Sequence, residues 1–263
     1  AEIQAASLLL KGKVIRTPLV YSPTFSEMSG AEVFLKLETM QKAGSFKVRG
    51  AANRILSSAG ELGTQGVIAA SAGNHAQGVA VAASMAGVPA TIIMPEWVSL
   101  AKQEATLAYG AKVILKGSSL EESIGEALSM AEQGHMTFIH PYNDPLVIAG
   151  QGTIGLEILE DLPETDLVVV PVGGGGLISG IATAVKSLRT SARIVGVQAQ
   201  ACPSALSALG AGIPTTVEAQ PTIADGIRVK RIGDLAFPVM KDLVDEVVLV
   251  DEQAIVNAIL TLL

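Results

Sequence analysis

Short runs of apolar and β-branched residues alternate along the chain with longer segments whose apolar positions recur at helical spacing. Val33-Phe34-Leu35-Lys36-Leu37 and Gly66-Val67-Ile68-Ala69-Ala70 read as strands. Between them, Ser45 reads as an N-cap, with hydrophobic and Ala-rich residues following it through Ile55. The pattern then predicts a helix over about 74–85 and a strand over 90–94, a helix over about 100–109 and a strand over 112–115, and a helix over 119–132 and a strand over 137–139. Past Pro141-Tyr142-Asn143-Asp144-Pro145 it resumes with a helix over about 151–160, a strand over 167–172, a helix ending at Leu188 and a strand over 193–198. A last strand over 246–250 precedes a helix that starts near Asp251 and is still running at Leu263.

Strands that alternate with helices imply βαβ units, and right-handed crossovers then give doubly wound parallel sheets of the α/β class. The turn-rich segment at 141–145 marks a crossing between two lobes, with a cleft suited to a ligand. A single continuous sheet fits the same pattern. In the two-lobe reading, 46–145 forms the small lobe, and 1–45 with 146–263 forms the large one.

Composition narrows the class. The chain has 263 residues, 49% hydrophobic and only 16% charged, which describes a globular protein with much buried structure. A formal net charge of -7, with no basic cluster to offset it, argues against a nucleic-acid partner. Charge-free stretches at 62–95 (His75 aside) and 167–185 resemble membrane spans in hydropathy. They are broken by Gly73-Asn74-His75, by Gly87-Val88-Pro89 and by four consecutive glycines, so buried elements of a soluble protein explain them better. The apolar run at 8–10 is too short for a secretory signal, and the single cysteine, Cys202, fits a reducing compartment. A soluble, cytoplasmic protein without membrane contact is expected.

Three segments carry chemistry. Lys47, in Gly44-Ser45-Phe46-Lys47-Val48-Arg49-Gly50, falls at the second position of its predicted helix, where the macrodipole disfavours a cation. That field and Arg49 push the ammonium toward the neutral amine that a Schiff-base nucleophile must be; a solvated surface lysine is the plainer alternative. Val168-Val169-Val170-Pro171-Val172 runs into Gly173-Gly174-Gly175-Gly176 and then Leu177-Ile178-Ser179-Gly180, a strand, glycine loop and helix start that would cradle a phosphate. It matches neither a P-loop nor GxGxxG, which leaves a phosphate ligand smaller than a dinucleotide. Ser71-Ala72-Gly73-Asn74-His75-Ala76-Gln77-Gly78 sits at the carboxyl end of a strand, where α/β sheets bind ligands, and offers donors to a carboxylate. Simple capping by Ser71 or Asn74 is the alternative there, and the dipole argues against His75 as a lone base.

Together with Arg16-Thr17-Pro18-Leu19, Lys36-Leu37-Glu38, Ala149-Gly150-Gln151-Gly152-Thr153 and Ala224-Asp225-Gly226, these segments resemble the pyridoxal-phosphate enzymes of the tryptophan-synthase-β fold type (fold type II), above all the threonine dehydratases. The resemblance covers nearly the whole chain. It implies two doubly wound lobes with pyridoxal 5'-phosphate in the cleft and Lys47 as its Schiff-base lysine. It further implies Phe46 stacked on the cofactor ring, Asn74 on the ring's phenolic oxygen, Gly173, Gly174, Gly175, Gly176 and Leu177 on the phosphate, and Gly226 against the other ring face. Ser71, Ala72, Asn74 and His75 would hold the substrate carboxylate. The implied activity converts L-threonine, and L-serine more weakly, to 2-oxobutanoate or pyruvate and ammonia. Lys47 takes the Cα proton, and the cofactor phosphate serves as proton donor to the leaving hydroxyl. Such an enzyme belongs to isoleucine biosynthesis or threonine catabolism, and a homo-oligomer, dimer or tetramer, is expected.

Departures from the pattern shape the alternatives. The serine racemases of this fold carry a second serine after the first in the turn, where this chain has Ala72. They also carry acidic cation ligands where this chain has Gln198, Gln200 and Ser204, so no metal is expected. Residues 227–228, Ile-Arg, also differ from the family's smaller residue. A serine racemase-like enzyme, a β-replacement enzyme such as a cysteine synthase, and a non-catalytic phosphate-ligand-binding protein remain competing readings. Finally, related dehydratases continue for several elements beyond the helix at 251–263, so the large lobe is expected to be incomplete at its C-terminal side.

Overall fold

The protein is described by a computed structural model that covers residues 1–58, 60 and 62–262. It falls into two compact units. The first holds residues 1, 3–139 and 160–163, and the second holds residues 2, 140–159 and those from 164 onward. Residues 1–45, which the sequence reading joins to 146–263, thus lie in the first unit except for Glu2.

In the first unit, helix α1 (Glu2–Leu10) is followed by β1 (Leu19–Tyr21), α2 (Pro23–Ser29), β2 (Phe34–Lys36), two 3₁₀ turns over 38–44, and α3 (Lys47–Ser57). Next come β3 (Val67–Ala70), α4 (Asn74–Ala86), β4 (Ala90–Met94), α5 (Leu100–Ala108), β5 (Lys112–Leu115), α6 (Leu120–Gln133) and β6 (Thr137–Phe138). Strands β3 to β6 form a parallel sheet in the order β5-β4-β3-β6. The chain steps outward through β4 and β5 and then returns to the other side of β3. The gap between β3 and β6 is therefore the topological switch point. Right-handed crossovers on either side of such a point put helices on opposite faces. The packing agrees: Val67 and Ala69 of β3 join a core with Ala76, Val79 and Ala80 of α4, whereas Ile68 and Ala70 join one with Ala127 of α6.

Two features depart from the expected parallel alternation. Strand β2 pairs antiparallel with β1, Leu19 facing Lys36 and Tyr21 facing Phe34. At three residues, with Val20 and Tyr21 exposed, β1 is too short to leave a periodic signal. Helices α1 and α2 are likewise additions to the expected set.

The second unit comprises α7 (Pro145–Asp161, whose last residues belong to the first unit), β7 (Leu167–Pro171), α8 (Gly176–Leu188), β8 (Arg193–Ala199), α9 (Ser204–Ala211), α10 (Ala236–Leu243), β9 (Glu246–Val250) and α11 (Glu252–Leu262). Its sheet is parallel in the order β7-β8-β9. Helix α7 starts six residues before the expected position because Asp144 caps it: Oδ1 accepts from the Leu146 and Val147 amides at 2.8 and 3.0 Å, with Pro145 at the first helical position. Most of α7 from Val147 to Leu159 is buried, so it lacks the polar stripe that would have revealed its first turns. Gly180 lets α8 approach it closely: a Cβ there would lie 2.4 Å from the Ile148 carbonyl oxygen and 2.6 Å from the Gly152 nitrogen. Helices α9 and α10 were not expected. The final helix runs to Leu262, and Leu263, which the expectation includes, lies outside the described residues. Among the described residues no helix is long and apolar enough to cross a membrane.

Candidate active site

Lys47 enters α3 by a different route from the one its sequence suggests. Ser45 is extended (φ -160°, ψ 160°) and makes no cap; the residue before the helix is Phe46, already helical at φ -58° and ψ -18°. Lys47 is therefore the first residue of α3. The bend is built upstream, where Gln41 Oε1 accepts from the Lys42 amide at 3.0 Å and Ala43 and Gly44 both take positive φ. Among the described residues, Ser45 Oγ is left buried without a hydrogen-bond partner.

The cause of Lys47's lowered basicity also differs from the expected one. Arg49 is wholly buried and grips Glu38 through two bonds, Nε to Oε2 at 2.9 Å and a terminal nitrogen to Oε1 at 2.8 Å. Its charge is thereby matched. Thr17 Oγ1 donates to the same carboxylate at 2.5 Å and Arg49 donates to the Ile15 carbonyl at 3.2 Å, so the Arg16–Leu19 and Lys36–Glu38 segments anchor the approach to Lys47. Loss of hydration on burial is what lowers the Lys47 pKa, from 10.5 to about 8. The Nζ stands 5.3 Å from the Phe46 ring centroid. Gly78 of α4 fixes the backbone here: a Cβ on it would lie 3.0 Å from the Lys47 carbonyl carbon and from the Val48 nitrogen.

The shift has a measurable sign. The amine is protonated below about pH 8 and neutral above it, so the rate at which the cofactor-free chain reacts with an aldehyde should rise through a midpoint near 8 rather than 10.5. The unfolded chain holds this proton up to higher pH, so folding stability should gain between about pH 8 and 10.5. Stopped-flow rates against pH test this, and a midpoint above 10 would contradict the burial argument.

The Ser71–His75 turn leaves β3 at the switch point. The Ser71 amide donates to the Ile93 carbonyl at 3.1 Å, and Ser71 Oγ accepts from the Gly73 amide at 3.1 Å. Gly73 is the N-cap of α4 and no side chain caps it, so neither Ser71 nor Asn74 fills the capping role that was the alternative reading. Asn74 is exposed as the first residue of α4. His75 is buried, and its Nε2 carries the proton it donates to the Ile139 carbonyl oxygen at 2.8 Å, which ties the turn to the chain just past β6. Its ring braces the turn from inside the unit.

The glycine loop lies in the second unit. Gly175 takes φ +88°, and each neighbour has a reason to lack a side chain. A Cβ on Gly174 would come within 2.4 Å of the Tyr142 ring, one on Gly176 within 2.9 Å of Tyr142 Cβ, and one on Gly175 within 2.7 Å of Ala236 Cβ. Tyr142 is thus the floor of the loop. Sequence reasoning treated it as part of a turn, although an aromatic ring between two prolines was a usable signal. Helix α8 has no side-chain cap, and its first internal amide bond runs from Ser179 to Gly175. Among the described residues, the N–H groups of Gly173 through Leu177 meet no protein acceptor, which leaves a nest of donors at a helix N-terminus. At Gly226 a Cβ would meet nothing within 4 Å. Taken each by itself, a half-buried lysine of lowered basicity suits an aldehyde, and a nest of backbone donors at a helix N-terminus suits a phosphate. Among the described residues no group of three or more His, Cys, Asp or Glu side chains is placed to hold a metal ion.

A family model described as pyridoxal-phosphate dependent enzyme matches residues 10–263. The chain belongs to this family. Pyridoxal-phosphate dependent enzymes similar to it include the L-threonine ammonia-lyase of Thermotoga maritima, 52% identical over 262 residues that cover 100% of this chain and 65% of that protein. The chain thus spans about two thirds, 65%, of the length of the first curated relatives it matches. Among solved structures, the threonine deaminase of T.th. superposes with a TM-score of 0.91 at 40% identity, covering 98% of this chain and 83% of that one. Maize serine racemase superposes with a TM-score of 0.95, also at 40% identity, covering 98% and 78%. As a member of this family, with the fold type II architecture of its structural neighbours, the chain has the parallel α/β sheets its alternation predicts.

Proposed function

We propose that this chain dehydrates and deaminates L-threonine, and L-serine less well, releasing 2-oxobutanoate or pyruvate and ammonia. The observation that carries this is its likeness, at 52% identity across its whole length, to a protein named L-threonine ammonia-lyase. In this reading Lys47 binds the cofactor aldehyde, Phe46 and Gly226 flank the ring, Asn74 faces the phenolic oxygen, and Gly173 to Leu177 hold the phosphate. The turn of Ser71, Ala72, Asn74 and His75 holds the substrate carboxylate, to which the dipole of α4 adds favourable charge. Bound pyridoxal phosphate supplies an electron sink for negative charge at the substrate Cα. Lys47 Nζ, as a free amine, would take the substrate Cα proton as general base, a role that the lowered basicity conferred by its desolvation suits. A homo-oligomer, dimer or tetramer, in the cytoplasm completes the proposal.

The test is formation of 2-oxobutanoate from L-threonine by the cofactor-loaded chain, followed with a coupled reductase. A chain that forms no oxo acid but couples an activated serine to a thiol would instead be a β-replacement enzyme.

The likeness to maize serine racemase favours racemisation as a second reading. Ala72 weighs against it, because it offers no hydroxyl to return a proton from the face opposite Lys47. L-Serine should therefore give pyruvate with D-serine below about a tenth of it, measured by chiral chromatography. Comparable rates of the two products would reverse the assignment.

A further inference from the structure

Gln198 and Ser204, in the second unit, are polar residues with no exposed surface. Every side-chain polar atom of the pair is occupied. Gln198 Oε1 accepts from the Ala205 amide at 3.0 Å and, more loosely, from the Leu206 amide at 3.4 Å. It supplies the start of α9 with the acceptor that Pro203, at the N-cap, cannot. Gln198 Nε2 donates to Ser204 Oγ at 3.3 Å and, at the limit of a hydrogen bond, to the Val172 carbonyl at 3.5 Å. Ser204 Oγ in turn donates to the Val229 carbonyl at 2.6 Å. The amide orientation is forced, because only N–H groups face its oxygen and only oxygens face its nitrogen.

The endpoints of this network matter. Val172 is the last residue before the glycine loop, and Val229 lies three residues beyond Gly226. Between them the two segments touch: a Cβ on Gly173 would lie 3.1 Å from Ile227 Cα and 3.3 Å from Val229 Cγ2. Gln198, at the carboxyl end of β8, therefore reaches the entrance of the glycine loop directly and the Gly226 segment through Ser204. We infer that Gln198 and Ser204 are positioning residues, a neutral brace that sets where the loop's free N–H groups stand relative to the Gly226 segment. The inference rests on the proposed role of Gly173 to Leu177 in holding the cofactor phosphate.

The test compares the wild type, Ser204→Ala and Gln198→Glu by the ³¹P resonance of bound pyridoxal phosphate and by its dissociation constant from fluorescence quenching. Ser204→Ala removes one hydroxyl and should weaken cofactor binding about tenfold, the effect of one buried hydrogen bond, with a displaced ³¹P resonance. Gln198→Glu keeps the shape and the acceptor for α9 but sets a carboxylate oxygen against Val172 O and Ser204 Oγ. Its affinity should fall further at pH 8 and recover, relative to wild type at the same pH, as acid returns a donating proton to that oxygen. Wild-type affinity and resonance in both variants would overturn the brace. Should Gln198→Glu fail to fold, Ser204→Ala alone decides. A wild-type chain that binds no pyridoxal phosphate would refute the proposed function instead, so the two failures are distinguishable.

Discussion

Lys47→Ala is expected to lower L-threonine turnover by roughly 10³-fold or more, because in the proposed function this lysine is both the cofactor's covalent anchor and the Cα base. The variant should fold at least as well as the wild type, since the native state no longer desolvates an amine. Borohydride reduction of the wild type, followed by peptide mapping, should place the pyridoxyl group on Lys47. The nearby lysines are poor competitors: Lys36 Nζ donates to the Thr17 carbonyl at 2.6 Å, and Lys42 Nζ to that of Lys13 at 2.6 Å. A label on either, or a Lys47→Ala variant that keeps its turnover, would sink the assignment.

The second large effect concerns stability. Glu38→Ala should cost about 3–5 kcal/mol, because it strands the guanidinium of Arg49 in the interior without its counter-charge. The loss belongs to the broken pair and not to the pair's net worth, so replacing both residues with apolar ones of similar size should cost much less. Urea titration of the single and double variants measures both. A Glu38→Ala cost below about 1 kcal/mol would mean that Arg49 finds another partner.

Much of this was legible in the sequence, for identifiable reasons. Strand β4 falls where its apolar run begins and ends, because a strand buried on both faces of a parallel sheet admits few polar residues, whereas the edge strands β5 and β9 each open on an exposed charged residue and were legible from the β-branched and aliphatic runs that follow it. The tetraglycine turn was visible because nothing but close packing or a positive φ asks for four glycines in a row. Lys47 stood out by position, yet the reason first assigned to its low basicity gave way to burial. Arg49's true partner, Glu38, lies eleven residues upstream, and spacing says nothing about which charges meet across a turn. The same blindness hid Tyr142 and Gln198. Tyr142 packs under Gly174 and Gly176, and Gln198 ties the start of α9 to Val172; residue type alone names neither set of partners. The reading of Ser45 as a cap failed because the chain reaches α3 through a tight turn whose positive φ at Ala43 no propensity predicts.

The approach of α4 to α3 at Gly78 has a mechanical consequence. With backbone against backbone and no side chain between them, there is little to compress at that crossing. One helix carries Lys47 at its first turn and the other begins with the Ser71–His75 turn, so the amine and the turn proposed to hold the substrate carboxylate travel as one stiff piece. In the proposed reading a substrate's extra methyl group then leaves the span between its carboxylate anchor and the lysine unchanged, and discrimination between threonine and serine falls to whatever walls surround the β-carbon.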